Sequence, residues 1–288
     1  MGNLGVTSER AASIVIPTKE RPRYLEVTLA SVASQAATSA AEVIVVSDRQ
    51  DRGTAAVARS YGARLIPLAG GGGANAARNA GVRAAVGDAI VFIDDDIEAP
   101  SGWLEAMLRA VASQPDCDVF GGPIRAALEG GGPRACGRES APITTLDCGR
   151  EDRDVAAVWS ANMAVRRRAF DQIGGFDESI AGRGEEEEWQ QRYLAHGGRV
   201  RYVANAGLDH RRARVDATLR ALARAAYGHG RTARRNDVRK RQAPTFAAEL
   251  RTLIGCIWHI FRRRCAIGVV LTTQSAGRLH EAIARPRS

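Results

Sequence analysis

The sequence predicts an α/β fold with a mostly parallel central sheet, followed by a helical C-terminal extension. Short continuous apolar runs at residues 12–17 (ASIVIP), 42–48 (EVIVVSD), 63–68 (ARLIPL) and Ala89–Ile93 read as strands buried on both faces. Helix-length segments alternate with them, as in βαβ units. The fourth run stops at three adjacent carboxylates, Asp94, Asp95 and Asp96, at the strand end where open α/β sheets bind ligands.

In chain order, strand 12–17 is followed by TKERPRYLEVTLASV, an amphipathic helix with Leu25, Leu29 and Val32 on one face. Strand 42–48 again ends on a carboxylate, Asp48. After strand 63–68 a glycine run, residues 70–73, opens a small-residue helix over about 75–86. These glycines do not make a dinucleotide site: no GxGxxG follows the first strand and no GxxxxGK[ST] occurs, so they read as flexible entry to a helix. Residues 123–154 lose periodicity and read as one long loop, functional or disordered. Beyond it, residues 166–173 form a short helix ended by Gly174-Gly175, residues 185–196 a second, and residues 200–203 a strand.

Composition bounds the rest. The 288 residues are 45% hydrophobic and 25% charged, ordinary for a globular protein, and no apolar run approaches the ~20 residues needed to span a bilayer. The N-terminus lacks the apolar core of a signal peptide. Five cysteines, with no CxxC pair, point to a reduced, cytoplasmic chain with structural thiols. The net charge of +9 is local: residues 211–241 hold eleven Lys/Arg against two Asp, leaving 30 basic and 30 acidic residues elsewhere. Nucleic-acid binding through this segment is a poor reading, because Tyr227 is its only aromatic residue.

Three carboxylates at a strand end repel one another and call for a cation among them. Hard oxygen ligands suit Mg²⁺ or Mn²⁺ held jointly with substrate phosphates.

The motifs IVIPTKERP, EVIVVSD, NAARNAG, FIDDD, SANMAVRR, GGFDE, GEEEEW and LDH, in this order over residues 13–210, resemble the family 2 glycosyltransferases. The resemblance implies a GT-A fold, a Rossmann-like sandwich, over residues 1–212, with a basic amphipathic extension over 213–288. It places Pro17, Thr18, Glu20, Arg21 and Asp48 around the nucleoside of a sugar nucleotide, and Arg78 and Asn79 near the nucleotide or its phosphates. Asp94–Asp96 match the DXD signature, with Asp94 and Asp95 toward the donor and Asp96 as metal ligand. His210 matches the histidine that completes the metal and diphosphate site. The family's base is an Asp after Glu at a helix start; aligned on Gly184, Glu186 takes that place, with Glu185, Glu187 and Glu188 as alternatives. Trp159, Asn162, Glu185 and Trp189 are expected to line the acceptor pocket, with a core role as the alternative for Trp159, Asn162 and Trp189.

The implied activity moves a sugar from a UDP-, GDP- or dTDP-linked donor to an acceptor hydroxyl, with inversion, using Mn²⁺ or Mg²⁺. A sugar-nucleotide pyrophosphorylase is the alternative of similar fold, but its glycine-rich signature after the first strand is missing. In the extension, residues 215–237 read as a basic helix followed by a loop. Leu250, Leu253, Ile254, Ile257, Trp258 and Phe261 then share one helical face ahead of three arginines. That face suits packing on the catalytic domain, a homodimer, or peripheral contact with the inner face of a membrane.

Overall fold

The computed structural model describes residues 12–134, 136, 143–180 and 185–284, the side chain of Glu185 excepted. The chain divides into two compact units: residues 1–124, 146–178 and 186–209 form the first, and 125–145, 179–185 and 210–288 the second.

The first unit is built on β1 (Ala12–Thr18), α1 (Pro22–Thr38), β2 (Glu42–Ser47), α2 (Arg52–Ser60), β3 (Arg64–Pro67), α3 (Gly73–Ala84) and β4 (Ala89–Ile93). β5 (Ile97–Glu98), α4 (Trp103–Ser113), β6 (Val119–Gly121), β7 (Ile124–Leu128, of which only Ile124 belongs to this unit), β8 (Arg153–Asp154), β9 (Asn162–Arg166) and α5 (Arg167–Ile173) follow. Then come α6 (Glu185–Ala195), β10 (Val200–Tyr202) and β11 (Leu208–Arg212), within which the division between units falls. The main sheet has strand order β3-β2-β1-β4-β9-β6-β10-β8. β1 runs parallel to β2 and β4, and β9 runs antiparallel to both β4 and β6. This is the expected GT-A architecture.

Alternate residues of the central strands feed two apolar layers. Ile14, Ile16, Val91 and Ile93 pack with Leu25, Leu29 and Trp103 on one face. Val15, Ile90 and Phe92 pack with Phe170, Phe176 and Trp189 on the other. Burial on both faces is why these strands read as unbroken apolar runs.

Several elements depart from the sequence expectation. The long loop at 123–154 contains β7 and β8, and Ile124 bridges Leu146. α2, α4, β6 and β9 occupy stretches to which no element was assigned. α2 is short and polar and is fixed by Asp51, whose carboxylate accepts from the backbone of Gly53 and Thr54.

The second unit contains α7 (Leu219–Arg239), α8 (Phe246–Arg263) and α9 (Ile267–Ala284). Where a basic helix followed by a loop is expected over 215–237, α7 runs as one helix through its glycines to Arg239. A Cβ on Gly230 would lie 2.0 Å from the Gln274 carbonyl oxygen, and one on Gly277 would lie 2.2 Å from that of Tyr227, so these glycines let α7 and α9 cross in close contact. Much of the basic charge is consumed internally. Glu281 accepts from Arg231 at 3.0 Å and Arg235 at 2.7 Å, while Glu249 meets Arg234 at 3.3 Å and Arg278 at 2.8 Å. Among the described residues no helix is long and apolar enough to cross a membrane.

Candidate active site

β1 and β4 are adjacent and parallel, so their carboxyl ends lie side by side. Thr18, the last residue of β1, donates its hydroxyl to Asp95 Oδ2 at 2.6 Å. Arg21, at the entry to α1, forks across the triplet: Nη1 to Asp95 Oδ1 at 2.8 Å and Nη2 to Asp96 Oδ2 at 2.7 Å. Its guanidinium lies 4.3 Å from the Tyr24 ring centroid. Arg78, buried in α3, stands 3.7 Å from Asp94. Asp95 and Asp96 are buried, whereas the Asp94 side chain is 32% exposed. Carboxylate oxygens of Asp94 and Asp96 come within 4.8 Å of one another, close enough to share one cation.

The electrostatics of this cluster are unbalanced. Burial, reinforced by the charges of Asp96 and Asp94, pushes the Asp95 carboxyl up to about 7, against the pull of Arg21 and the Thr18 hydroxyl. Burial would lower the Arg21 guanidinium, but Asp95 and Asp96 outweigh that and hold it above its ordinary value. The donor set is oxygen-rich and short of positive charge. It fits a hard divalent ion.

Asp48 forms a second part of the cleft. It meets Lys19 at 2.7 Å and accepts from the Gly73 amide at 3.2 Å, and the Lys19 contact leads in holding its carboxyl below the usual range. Lys19 escaped the sequence reading, although it stands inside TKERP between two chosen residues. Glu20 is exposed with φ of 50°, and Pro17 is half-buried in β1.

Two α3 residues divide in role. The Asn79 amide nitrogen donates to the Phe176 carbonyl and to Glu178 Oε1, both at 2.9 Å, and its oxygen accepts from the Phe176 amide at 2.9 Å. It therefore latches the GGFDE turn, and the expected nucleotide contact is replaced by a structural one. Asn75 adds a bond to the Asp177 carbonyl at 2.7 Å.

On α6, Glu186 is buried, with the Ser160 hydroxyl 3.5 Å from its Oε1. Gln190, one turn on, holds both backbone groups of Val158 at 2.8–2.9 Å, which fixes α6 against the segment carrying Trp159 and Ser160. Glu188 pairs with Arg192 at 2.7 Å, and the half-buried Glu187 lies 3.5 Å from the Gln191 amide. Gly184 and the Glu185 side chain lie outside the described residues. Trp159 is half-buried, compatible with a ligand at its open side. The other two acceptor residues are corrected. Trp189 is 0% exposed, packs on Phe170, Phe176 and Tyr193, and donates to the Gly174 carbonyl at 2.7 Å. Asn162 is also 0% exposed, donating to the Pro123 and Ala206 carbonyls and accepting from the Trp103 indole. Both are core residues that shape the cleft from behind.

His210, in β11, is buried in the second unit, with Nδ1 3.1 Å from the Thr144 carbonyl oxygen. A carbonyl only accepts, so Nδ1 carries the proton and the lone pair is on Nε2, the tautomer a metal ligand needs. Arg212 Nη1 lies 3.3 Å from that Nε2.

Comparison with known proteins agrees with this geometry. Over 147 residues the chain is 33% identical to the pre-mycofactocin glycosyltransferase of Mycobacterium tuberculosis, covering 48% of this chain but 30% of that protein. The fold resembles GalNAc-T7 solved with UDP, GalNAc and Mn²⁺, at TM-score 0.57 and 15% identity over 79% of this chain and 51% of the other. It also resembles the mannosyltransferase PcManGT from Pyrobaculum calidifontis in complex with GDP-Man and Mn²⁺, at TM-score 0.56 and 15% identity over 98% and 77% of the two chains. Residues 13–174 match the description of Glycosyl transferase family 2, and the chain belongs to that family.

Proposed function

We propose that this protein is a divalent-metal-dependent, inverting glycosyltransferase that uses a UDP-, GDP- or dTDP-linked sugar. The observation that carries the reading is the buried Asp95–Asp96 pair at the end of β4, under-neutralised by Arg21 and Arg78. The mycobacterial relative is named a glycosyltransferase, and both structural neighbours were solved with Mn²⁺ and a nucleotide or nucleotide sugar. The chain spans only 30% of the mycobacterial relative, so donor and acceptor are proposals from this chain's own residues.

In this reading Asp96, with Asp94, would hold Mn²⁺ or Mg²⁺. The ion would neutralise the charge that develops on the diphosphate leaving group. Thr18 and Arg21 orient Asp95 and Asp96, and Arg78 adds positive charge on the α3 side. Asp48 and Lys19 take the nucleoside side of the cleft. Glu186 receives the proton of the acceptor hydroxyl as its oxygen bonds to the anomeric carbon and the bond to the diphosphate breaks. Ser160 helps to hold its carboxylate. Trp159 offers an aromatic face to a sugar ring.

Calorimetry with UDP, GDP and dTDP, in Mn²⁺ and in EDTA, tests the proposal. One nucleotide is expected to bind in Mn²⁺ and to weaken sharply in EDTA. Equal affinity in both buffers for every nucleotide that binds sinks the metal role.

A further inference from the structure

The second unit contains another group of ligating atoms, of different chemistry. Cys136, His259 and Cys265 come from three separate places in the chain: the segment after β7, the last turn of α8, and the corner between α8 and α9. Their Sγ and ring nitrogen atoms all lie within 4.8 Å of one another. The Cys136 Sγ to His259 Nε2 distance is 3.5 Å. Two ligands at about 2.3 Å (sulfur) and 2.1 Å (nitrogen) from one tetrahedral ion stand about 3.6 Å apart, so this edge already has the length a shared ion requires.

The surroundings hold the three groups in place. Arg264 adopts a left-handed conformation that turns the chain out of α8, and the Cys265 carbonyl accepts from the Gly268 amide at 3.1 Å, which opens α9. The Ile267 amide donates to the Arg134 carbonyl at 3.2 Å, two residues before Cys136. Gly268 lets α9 begin against the imidazole, since a Cβ there would lie 3.1 Å from His259 Cδ2 and 2.9 Å from Ile260 Cγ1. Cys265 is 1% exposed, while Cys136 and His259 are half-buried, so one side of the cluster stays open to a further ligand. No disulfide joins Cys136 to Cys265.

We infer that Cys136, His259 and Cys265 form a Zn²⁺ site that ties the segment after β7 to the α8–α9 corner. Two thiolates and a neutral imidazole suit a borderline-soft ion, with water completing the tetrahedron. Two thiolates would cancel the charge of the ion. The inference does not depend on the proposed transferase activity, and the site selects against the hard ions that suit the aspartate triplet.

Cobalt replacement in the full-length, reduced protein tests it, because thiolate-to-cobalt charge transfer does not arise at a site without sulfur ligands. The wild type is expected to show this absorption at one Co²⁺ per chain, to lose it when Zn²⁺ is added, and to keep it in Asp96→Ala. Cys136→Ser and Cys265→Ser are each expected to abolish it. Because Cys265 is buried, its variant can fail for packing reasons; the half-buried Cys136→Ser keeps the test decisive. Thermal denaturation gives a second readout: Zn²⁺ should raise the midpoint of the wild type over chelator by several degrees and leave Cys136→Ser unmoved. Reduced wild-type protein without the absorption, or Cys136→Ser protein that retains it, overturns the assignment.

Discussion

Two buried acids, one in each unit, face arginines with opposite results. Glu281 in α9 is 2% exposed and accepts from both Arg231 and Arg235; their hydrogen bonds, Arg235 first, outweigh burial and hold its carboxyl at about 2. Asp95 is 4% exposed and has Arg21, yet burial pushes it up to about 7, reinforced by Asp96, which shares Arg21, and by Asp94. One carboxylate with two arginines is a finished structural joint. Three carboxylates with Arg21 and Arg78 form a site with more acidic groups than these two arginines offset. A buried acid beside an arginine is therefore no guide to function until the charges on both sides are counted.

The largest expected effect comes from a third buried acid, Glu186, whose neighbour is a hydroxyl. Glu186→Gln keeps the shape and removes the base, so turnover on the true acceptor should fall about 10²–10⁴-fold with donor and metal binding intact. Glu188, already paired with Arg192 as Glu281 is with its arginines, should tolerate the same change. Normal turnover in Glu186→Gln together with a dead Glu185→Gln or Glu188→Gln would move the base along α6. Asp96→Ala should weaken Mn²⁺ affinity by at least about 10²-fold, since even outer-shell changes at metal sites reach that size. Asp94→Ala, at the more exposed carboxylate, should do less. Titration of metal-dependent nucleotide binding ranks the two.

The contrast also predicts opposite dependences of stability on pH. The Glu281 carboxyl lies below its ordinary 4.5, so its contribution is complete above that value and is lost as pH falls toward about 2. The Asp95 carboxyl is raised above its ordinary 3.8, so its protonated form favours folding and that contribution is lost as pH rises through about 7. Chemical denaturation without divalent metal should therefore show stability declining between about pH 4 and 7, and saturating Mn²⁺ should flatten the slope. A slope that Mn²⁺ leaves unchanged would separate Asp95 from any metal site. Glu281→Gln should lower stability by about 2–3 kcal/mol, the size of a charged hydrogen-bond loss, because the half-exposed arginines can rehydrate.

The two units also differ in how much of them the sequence reveals. β1, β2 and β4 are legible because burial on both faces makes each a continuous apolar run, and the Asp triplet stands out where the last one stops. β9 is not, because NMAVR opens on an asparagine whose job is to bind two carbonyls inside the fold. Asn79 and Trp189 sit in the right motifs yet point away from the cleft, and motif position alone carries no direction. Lys19 and Ser160 lay beside chosen residues; their contacts arise from packing of Asp48 and α6 that linear order does not contain. In the second unit Cys136 and His259 stand 123 positions apart, so no local spacing could reveal their convergence. The role of Gly230 in α7 is equally hidden, since it answers to α9, a helix far along the chain.

The smallest expected effect concerns α8, whose polarity runs opposite to that of a core helix. Its one buried residue is Glu249, held by Arg234 and Arg278, while Ile254, Trp258 and Phe261 are 58%, 67% and 76% exposed. The internal ion pairs turn the helix by its acid and leave the apolar stripe outward. Arg262, Arg263 and Arg264 follow that stripe directly. Apolar side chains at the interface with arginines beside them match an anionic bilayer surface, each arginine adding about 1 kcal/mol near the surface at low salt. Sedimentation with anionic liposomes should bring the protein down at low salt and release most of it at high salt, while neutral liposomes should leave it in solution. Trp258→Glu should abolish sedimentation and leave nucleotide binding unchanged, because α8 supplies no residue of the proposed nucleotide site. Concentration-dependent self-association that Trp258→Glu removes, with no affinity for either liposome, would instead assign the stripe to a homodimer.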